Sequence, residues 1–410
     1  MSKCLIILNQ QPFIPPFMLS AITCAKDRYD KVYYVNTKNP DNKSLFADCA
    51  NVQFNFPSVL DTLIALLLAI PSLFSSVVCR DIKRCIKDKG FSFHIIKLFL
   101  IEQTVHYRLL PIAKKIVKQE QTTSEITVLS TWFDACAFTA ATIKKLFPSL
   151  RAFSLAHSYE ILLIRNPYVP YRHINYKHQY LDGVFFISHI IREMYFSGVG
   201  QLPQAFVKKT HVCYLGSYKD QNVLNQVDAE VFNICTCSRM IPLKRLDLLL
   251  ETMKDWTLGR VRWIHMGDGP LFDSLWKRAQ SINESNPLVE IVFTGKVSNS
   301  KVKEHYATCP VDVFVNLSEI EGLPISIMEA ISYGIPVIAT DVGGTREIVT
   351  KDVGILLDQN ANNVQEALAL FYNMSPDDRQ SLRNSAYMFW LDNYDAAKNL
   401  PHLFDLIQTV

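Results

Sequence analysis

Two carboxylates, Glu321 and Glu329, stand eight positions apart in the run Val311 to Val349. There an apolar strand ending at Asn316 gives way to a short loop and then to a helix beginning near Pro324. A helix start leaves its first amides without partners, so those of Gly322, Leu323 and Ile325 offer donors to an anion such as a diphosphate. Pro324 suits the first turn because it has no amide hydrogen to satisfy. Side chains eight apart on a helix differ by only about 80° in direction, so Glu321 and Glu329 are expected to line one side of a pocket. The plainer alternatives are a dipole-compensating charge for Glu321 and a solvated helix face for Glu329.

The elements that must hold these residues alternate between short β-branched runs and helical stretches. Strands are expected at Cys4–Leu8, Lys31–Val35, Ile126–Ser130, Ala152–His157, Gly183–Ile187, Val231–Cys237, Arg262–Met266, Val289–Thr294, Val311–Asn316 and Pro336–Thr340. Such alternation argues for an α/β protein with parallel sheets, whose ligands sit beyond the carboxyl ends of the strands. A chain of 410 residues is too long for one small module. Its net charge of +3 hides a split: 25 basic against 14 acidic residues up to Thr210, and 17 against 25 beyond it. Two halves of opposite sign suggest two domains with different partners, and the polar stretch from Val207 to Asp228 marks the boundary.

Ten cysteines are scattered without metal-type or disulfide-type spacing, which points to reduced thiols and a cytoplasmic setting. No D-x-D pair exists, so no paired-aspartate site for a divalent ion is expected. One stretch raises a membrane question, because Thr62 to Cys79 carries no charge over 18 residues. Fully helical, it would reach about 27 Å, short of a hydrocarbon core of about 30 Å. From Val77 to Glu120 there are 10 basic and 4 acidic residues with apolar ones interleaved, the composition of an interfacial surface. Peripheral membrane contact, a spanning helix and a buried helix with a basic flank all remain open. Under the first, neutralising Lys83, Arg84, Lys87 and Lys89 should release the protein from its membrane.

Several motifs in order carry a family resemblance. They are Ser238-Arg239-x-x-x-x-Lys244-Arg245-x-Asp247, Met266-Gly267-Asp268-Gly269-Pro270, Phe293-Thr294-Gly295-Lys296-Val297, Asp312-Val313-Phe314-Val315, and Glu321…Glu329 with Asp341-Val342-Gly343-Gly344. In the first half the matching pieces are Leu155-Ala156-His157-Ser158-Tyr159-Glu160 and Phe186-Ile187-Ser188. With these the chain resembles glycosyltransferase family 4, the retaining sugar-nucleotide-dependent enzymes of the GT-B fold, and in its first half the polysaccharide-assembly members. The resemblance implies two Rossmann-like domains facing each other across a cleft. An acceptor-binding domain would occupy residues 1–210, a nucleotide-sugar domain 211–385, and a helical segment 386–410 would pack back on the first.

The same resemblance assigns roles. Arg239 and Lys244 would clamp the donor diphosphate, where fixed cations stabilise charge that grows as the glycosidic bond breaks. Glu329 would bind the ribose hydroxyls and Glu321 would sit beside the donor sugar. Lys296 and Val297 would face the nucleobase, and Gly322 and Leu323 the phosphates. His157, at a strand end, would be the first domain's residue near the donor sugar or acceptor hydroxyl. The implied partners are a UDP- or GDP-linked sugar, a glycan or lipid-linked acceptor, and the inner face of the cell membrane. No cofactor, metal or nucleic acid is expected.

The sequence also departs from the family. The loop after the first strand, Asn9 to Phe17, has no glycine, so it is expected to present side chains such as Gln10 to the acceptor. The loop Arg165 to His173 alternates basic and aromatic residues on a proline-stiffened frame, so Arg165, Tyr168 and Arg172 are candidates for gripping a sugar or a lipid-linked phosphate. Two rival readings are a nucleotide-dependent oxidoreductase and a non-catalytic carbohydrate binder. The first lacks a third glycine after Gly267 and Gly269, since Phe272 sits at the needed offset. The second is disfavoured by the intact Arg239, Lys244, Glu321 and Glu329.

Overall fold

The computed structural model describes the chain apart from residues 12–13, 15, 40–42, 47–48, 162–167, 169–171, 221–222 and 227–229. One sheet contains β1 (Ser2–Asn9), β2 (Lys31–Asn36), β3 (Val52–Asn55), β4 (Ser124–Ser130), β5 (Arg151–Ala156), β6 (Gly183–Phe186) and β7 (Thr210–Val212), in the order β3-β2-β1-β4-β5-β6-β7. A second contains β8 (Phe232–Cys237), β9 (Val261–Met266), β10 (Val289–Phe293), β11 (Val313–Asn316), β12 (Val337–Thr340) and β13 (Gly354–Leu357), in the order β10-β9-β8-β11-β12-β13. The strands pair in parallel within both sheets. Parallel pairing needs crossovers, and the helices that supply them cover both faces, so inner strands read as unbroken apolar runs. In β1 every residue from Cys4 to Asn9 is buried.

Both sheets are wound alike, with the first strand in the interior and the order reversing beside it. The reversal lies between β1 and β4 in one and between β8 and β11 in the other. A crevice opens at such a point beyond the strand ends. Gln10 and Thr131–Asp134 therefore stand at the first reversal, and Ser238–Lys244 and Asn316–Glu321 at the second.

The ten expected strands are present. β3, β7 and β13 were not expected, and each lies at a sheet edge and is only three or four residues long. β7 falls inside the segment read as a linker. The chain divides into two compact units, Met1–Tyr214 with Leu400–Val410, and Leu215–Asn399. It rejoins the first unit at Leu400 and not at residue 386, because the helix Pro376–Asn393 packs on Ile325–Ser332 inside the second unit. There the buried Arg383 donates to the carbonyls of Val311 and Asn225, at 2.9 and 2.8 Å. Beyond Leu400, Leu403, Phe404 and Ile407 are buried, and Arg151 caps the last helix through the carbonyls of Ile407 and Gln408.

The uncharged stretch at Thr62–Cys79 is not one helix. It is the end of Val59–Ser72, a break, and the start of Ser76–Lys89, bent by 64°. Only Ala65, Ala69 and Ser72 of Val59–Ser72 are buried, so the buried-helix alternative does not hold.

Candidate active site

In the second unit, β8 ends at Cys237 and the chain turns through Ser238–Met240 against the loop after β9. Met240 N–H donates to the Asp268 carbonyl at 2.9 Å, and a Cβ on Gly267 would lie 1.9 Å from the Ser238 carbonyl oxygen. Gly267 thus serves close packing of backbone on backbone, which holds the turn that carries Arg239. Arg239 is exposed, has no ion pair among the described residues, and lines an opening of about 540 Å³ with Ser238, Gly267, Lys296, Val297 and Asn299. An exposed, uncommitted guanidinium on a fixed turn is suited to a bidentate grip on a phosphate.

Lys244 Nζ lies 2.5 Å from Glu321 Oε1, and Ser318 Oγ and Asn316 Nδ2 donate to the same oxygen at 2.6 and 3.3 Å. Lys244 and Asn316 fix that oxygen, with the single Ser318 hydroxyl proton shared between it and Asn316 Oδ1, also 2.6 Å away, while Oε2 has no partner among the described residues. Arg245 is structural: its guanidinium donates to the carbonyls of Leu317, Ser318 and Gln359, anchoring the loop that leads to Glu321. Gly343, at φ 54°, presses on the far side of that loop, where a Cβ would come within 1.9 Å of the Glu321 carbonyl oxygen. The helix is Ile325–Ser332, preceded by Pro324 at φ −72°, ψ 108°. The amides of Gly322 and Leu323 donate to no group among the described residues.

That geometry corrects the helical-projection argument. Glu321 lies on the loop, ahead of the extended Pro324, so no helical angle relates it to Glu329. Glu329 is buried on the helix, where Asn299 Nδ2 donates to its Oε1 at 2.7 Å and burial raises its pKa. Lys296 and Val297 follow β10 and line the same opening as Arg239 and Asn299.

In the first unit, His157 follows β5 with Nε2 3.1 Å from the Thr131 carbonyl. A carbonyl only accepts, so the ring proton sits on Nε2 and Nδ1 keeps a lone pair with no partner among the described residues. Burial lowers the pKa to about 4, which keeps the ring neutral. Phe17 and Trp132 hold it on two sides, each with its centroid 4.7 Å away. Its amide donates to Glu160 Oε1 at 2.7 Å, and that oxygen also takes Phe133 N–H at 3.2 Å, tying the ends of β4 and β5 together. Burial, with the Asp134 charge adding to it, pushes Glu160 up to about 8.

The acceptor candidates fare differently. Gln10 donates to the Asp134 carboxylate. Arg172 is not a free cation: Nη2 and Nε lie 2.5 and 2.6 Å from Glu102 Oε1, and a buried pair of this kind leaves no charge for a phosphate. Tyr168 lies beside His94, the two rings tilted by 48° with centroids 5.5 Å apart, and packs on the Val78, Ile82 and Phe99 cluster. Arg165 lies outside the described residues. The supports were not singled out from sequence: Asn316 and Ser318 for Glu321, Asn299 for Glu329, and Glu160 and Asp134 for the first unit. One signal existed, since Ser318-x-x-Glu321 has the spacing of a reciprocal side-chain pair.

Two parallel sheets wound in this order define the class: the GT-B fold of glycosyltransferases. The crystal structure of Anabaena Alr3699/HepE in complex with UDP has it, with a TM-score of 0.70 over 99% of this chain and 100% of that one at 16% identity. The model of the family described as glycosyl transferases group 1 matches residues 221–389, within the second unit. Among curated proteins, a phosphatidylinositol N-acetylglucosaminyltransferase component of Arabidopsis thaliana is 24% identical over 55% of this chain and 49% of its own length. A GDP-mannose-dependent alpha-mannosyltransferase of Mycobacterium tuberculosis is 36% identical over 29% of this chain and 28% of its own. The chain thus spans half or less of the length of these two relatives.

Proposed function

We propose that the protein is a retaining glycosyltransferase that moves a sugar from a UDP- or GDP-linked donor to a growing, lipid-linked cell-surface glycan. The observation that carries this reading is that the uncommitted Arg239 and the Lys244–Glu321 pair follow β8 and β11, the two strands at the chain reversal of the second unit, where the amides of Gly322 and Leu323 are also open. The UDP complex of a protein with the same fold and the GDP-mannose dependence of a relative support a nucleoside diphosphate sugar as donor. Arg239, Lys244 and the two amides hold the diphosphate and stabilise the charge that develops on it as the glycosidic bond lengthens. The acceptor hydroxyl attacks on the face from which the diphosphate leaves. Glu321, with one oxygen held by Lys244 and Asn316, presents Oε2 to the sugar, and Glu329 accepts from the ribose hydroxyls. Neutral His157 offers Nδ1 as an acceptor to a sugar or acceptor hydroxyl. The ten free thiols favour the cytoplasmic side of the cell membrane as the place of reaction.

A thermal-shift screen of the whole chain with UDP, GDP, ADP and NAD tests the donor class, since a ligand that binds only the folded state raises the melting temperature. A shift with one nucleoside diphosphate is expected. A shift with NAD alone would overturn the reading.

A further inference from the structure

The helix Val59–Ser72 has the composition of a core helix and the exposure of a surface one. It meets its unit through a narrow seam of Ala65, Ala69 and Ser72 laid on the helix Phe93–Glu120, with Ser72 Oγ 3.2 Å from Gln103 Oε1. Its large side chains point outward: Leu60 is 66% exposed, Leu63 54%, Leu67 71% and Ile70 56%. The exposed aliphatic residues between Val59 and Ile70 spread over an arc of roughly 200° opposite the seam. The elbow that follows adds Phe74, 82% exposed. Contiguous apolar surface on this scale marks an interaction site.

The neighbouring charges say what covers it. On Ser76–Lys89 the exposed ionisable residues are Arg80, Lys83, Arg84, Lys87 and Lys89, against Asp88 alone. The other acid, Asp81, is buried with its Oδ2 3.2 Å from His173 Nδ1. An apolar helix joined through an elbow to a cationic one complements acyl chains lying beneath anionic headgroups. A second copy is a poorer cover, because a two-fold contact would bring the same cations face to face. Fourteen helical residues reach only about 21 Å, and no described helix is long and apolar enough to cross a membrane by itself.

We infer that Val59–Ser72 and the Phe74 elbow form an in-plane anchor sunk into one leaflet of an anionic membrane, with the cations of Ser76–Lys89 at the headgroups. The anchor deepens the proposed function by placing the enzyme where a lipid-linked acceptor resides, and in that respect it rests on that reading. Its physical basis is this pair of helices alone. It also reverses the weight given to the cations from sequence: the apolar helix carries the binding and the cations select the lipid.

Flotation of the whole protein with vesicles of phosphatidylcholine, with and without phosphatidylglycerol, tests it. The wild type should float best with the mixed vesicles, and L63E/L67E should float at least about tenfold less. Both leucines are exposed, so the double variant should keep its melting temperature and its nucleotide binding. K83S/K87S/K89S should keep some flotation and lose its preference for phosphatidylglycerol. Flotation of L63E/L67E equal to wild type would overturn the anchor, as would a wild type that ignores vesicles and runs as a dimer split by that variant. Flotation that persists in a protein binding no nucleoside diphosphate would sink the transferase reading and uphold the anchor.

Discussion

The two chain reversals share a topology and differ in what stands at them. At the second, Arg239 is exposed and unpaired, and two amides and one oxygen of Glu321 have no partner among the described residues. At the first, the polar groups answer one another: Arg172 with Glu102, Gln10 with Asp134, and Glu160 with the backbone of His157 and Phe133. One end leaves its donors open and the other holds a neutral histidine. The same winding order thus supplies a site in each unit, and the side chains at the strand ends decide which kind.

The comparison breaks most directly at the proposed diphosphate clamp. Arg239→Ala should lower sugar transfer by about 10²- to 10³-fold without moving the melting temperature, since loss of one preorganised donor costs about that much, and Lys244→Ala should lower it as far while also lowering the melting temperature, because it leaves Glu321 without its cation. Undiminished turnover would remove both from the site. In the first unit the equivalent change should fall on stability: Arg172→Met leaves Glu102 buried and unpaired and should cost about 3–5 kcal/mol in denaturant unfolding. Gly343→Ala should cost about 1–3 kcal/mol and weaken donor binding, because φ 54° is strained for alanine and the new Cβ meets the Glu321 carbonyl. Asn299→Ala should raise the donor KM by about fivefold with kcat little changed, the loss of one hydrogen bond to Glu329.

A pH experiment sharpens the contrast further. Glu160 holds its proton up to about pH 8 in the folded protein, against an ordinary value of 4.5. Its contribution to stability is therefore complete below about pH 4.5 and is lost as pH rises through 8. Glu160→Gln stays neutral throughout, so its stability relative to wild type should climb across that window, by at most about 1.4 kcal/mol per pH unit. A flat difference would show Glu160 ionised in the native state.

The sheets were legible because buried parallel strands such as Cys4–Leu8 and Val313–Asn316 print as apolar runs whatever lies far along the chain. β3, β7 and β13 were not, since each is an edge strand of only three or four residues, too short to show a period. Arg239, Lys244 and Glu321 were legible because they follow strands in sequence as well as in space. Their supports were harder to see: Asn299 reaches Glu329 from a different element, and Arg172 meets Glu102 from 70 residues away. A pairing of that range depends on how the helices pack. The exposure of Val59–Ser72 was hidden for the same reason, since an apolar helix looks alike in a core and on a membrane.

The clamp itself is tested most directly by calorimetric titration of UDP and GDP into the wild type and into Arg239→Ala. A diphosphate held by Arg239 predicts binding of one nucleotide by the wild type and a loss of at least about tenfold in the variant, since a charge-assisted hydrogen bond is worth that much or more. Equal affinity in the two proteins, or no binding of either nucleotide by the wild type, would contradict it.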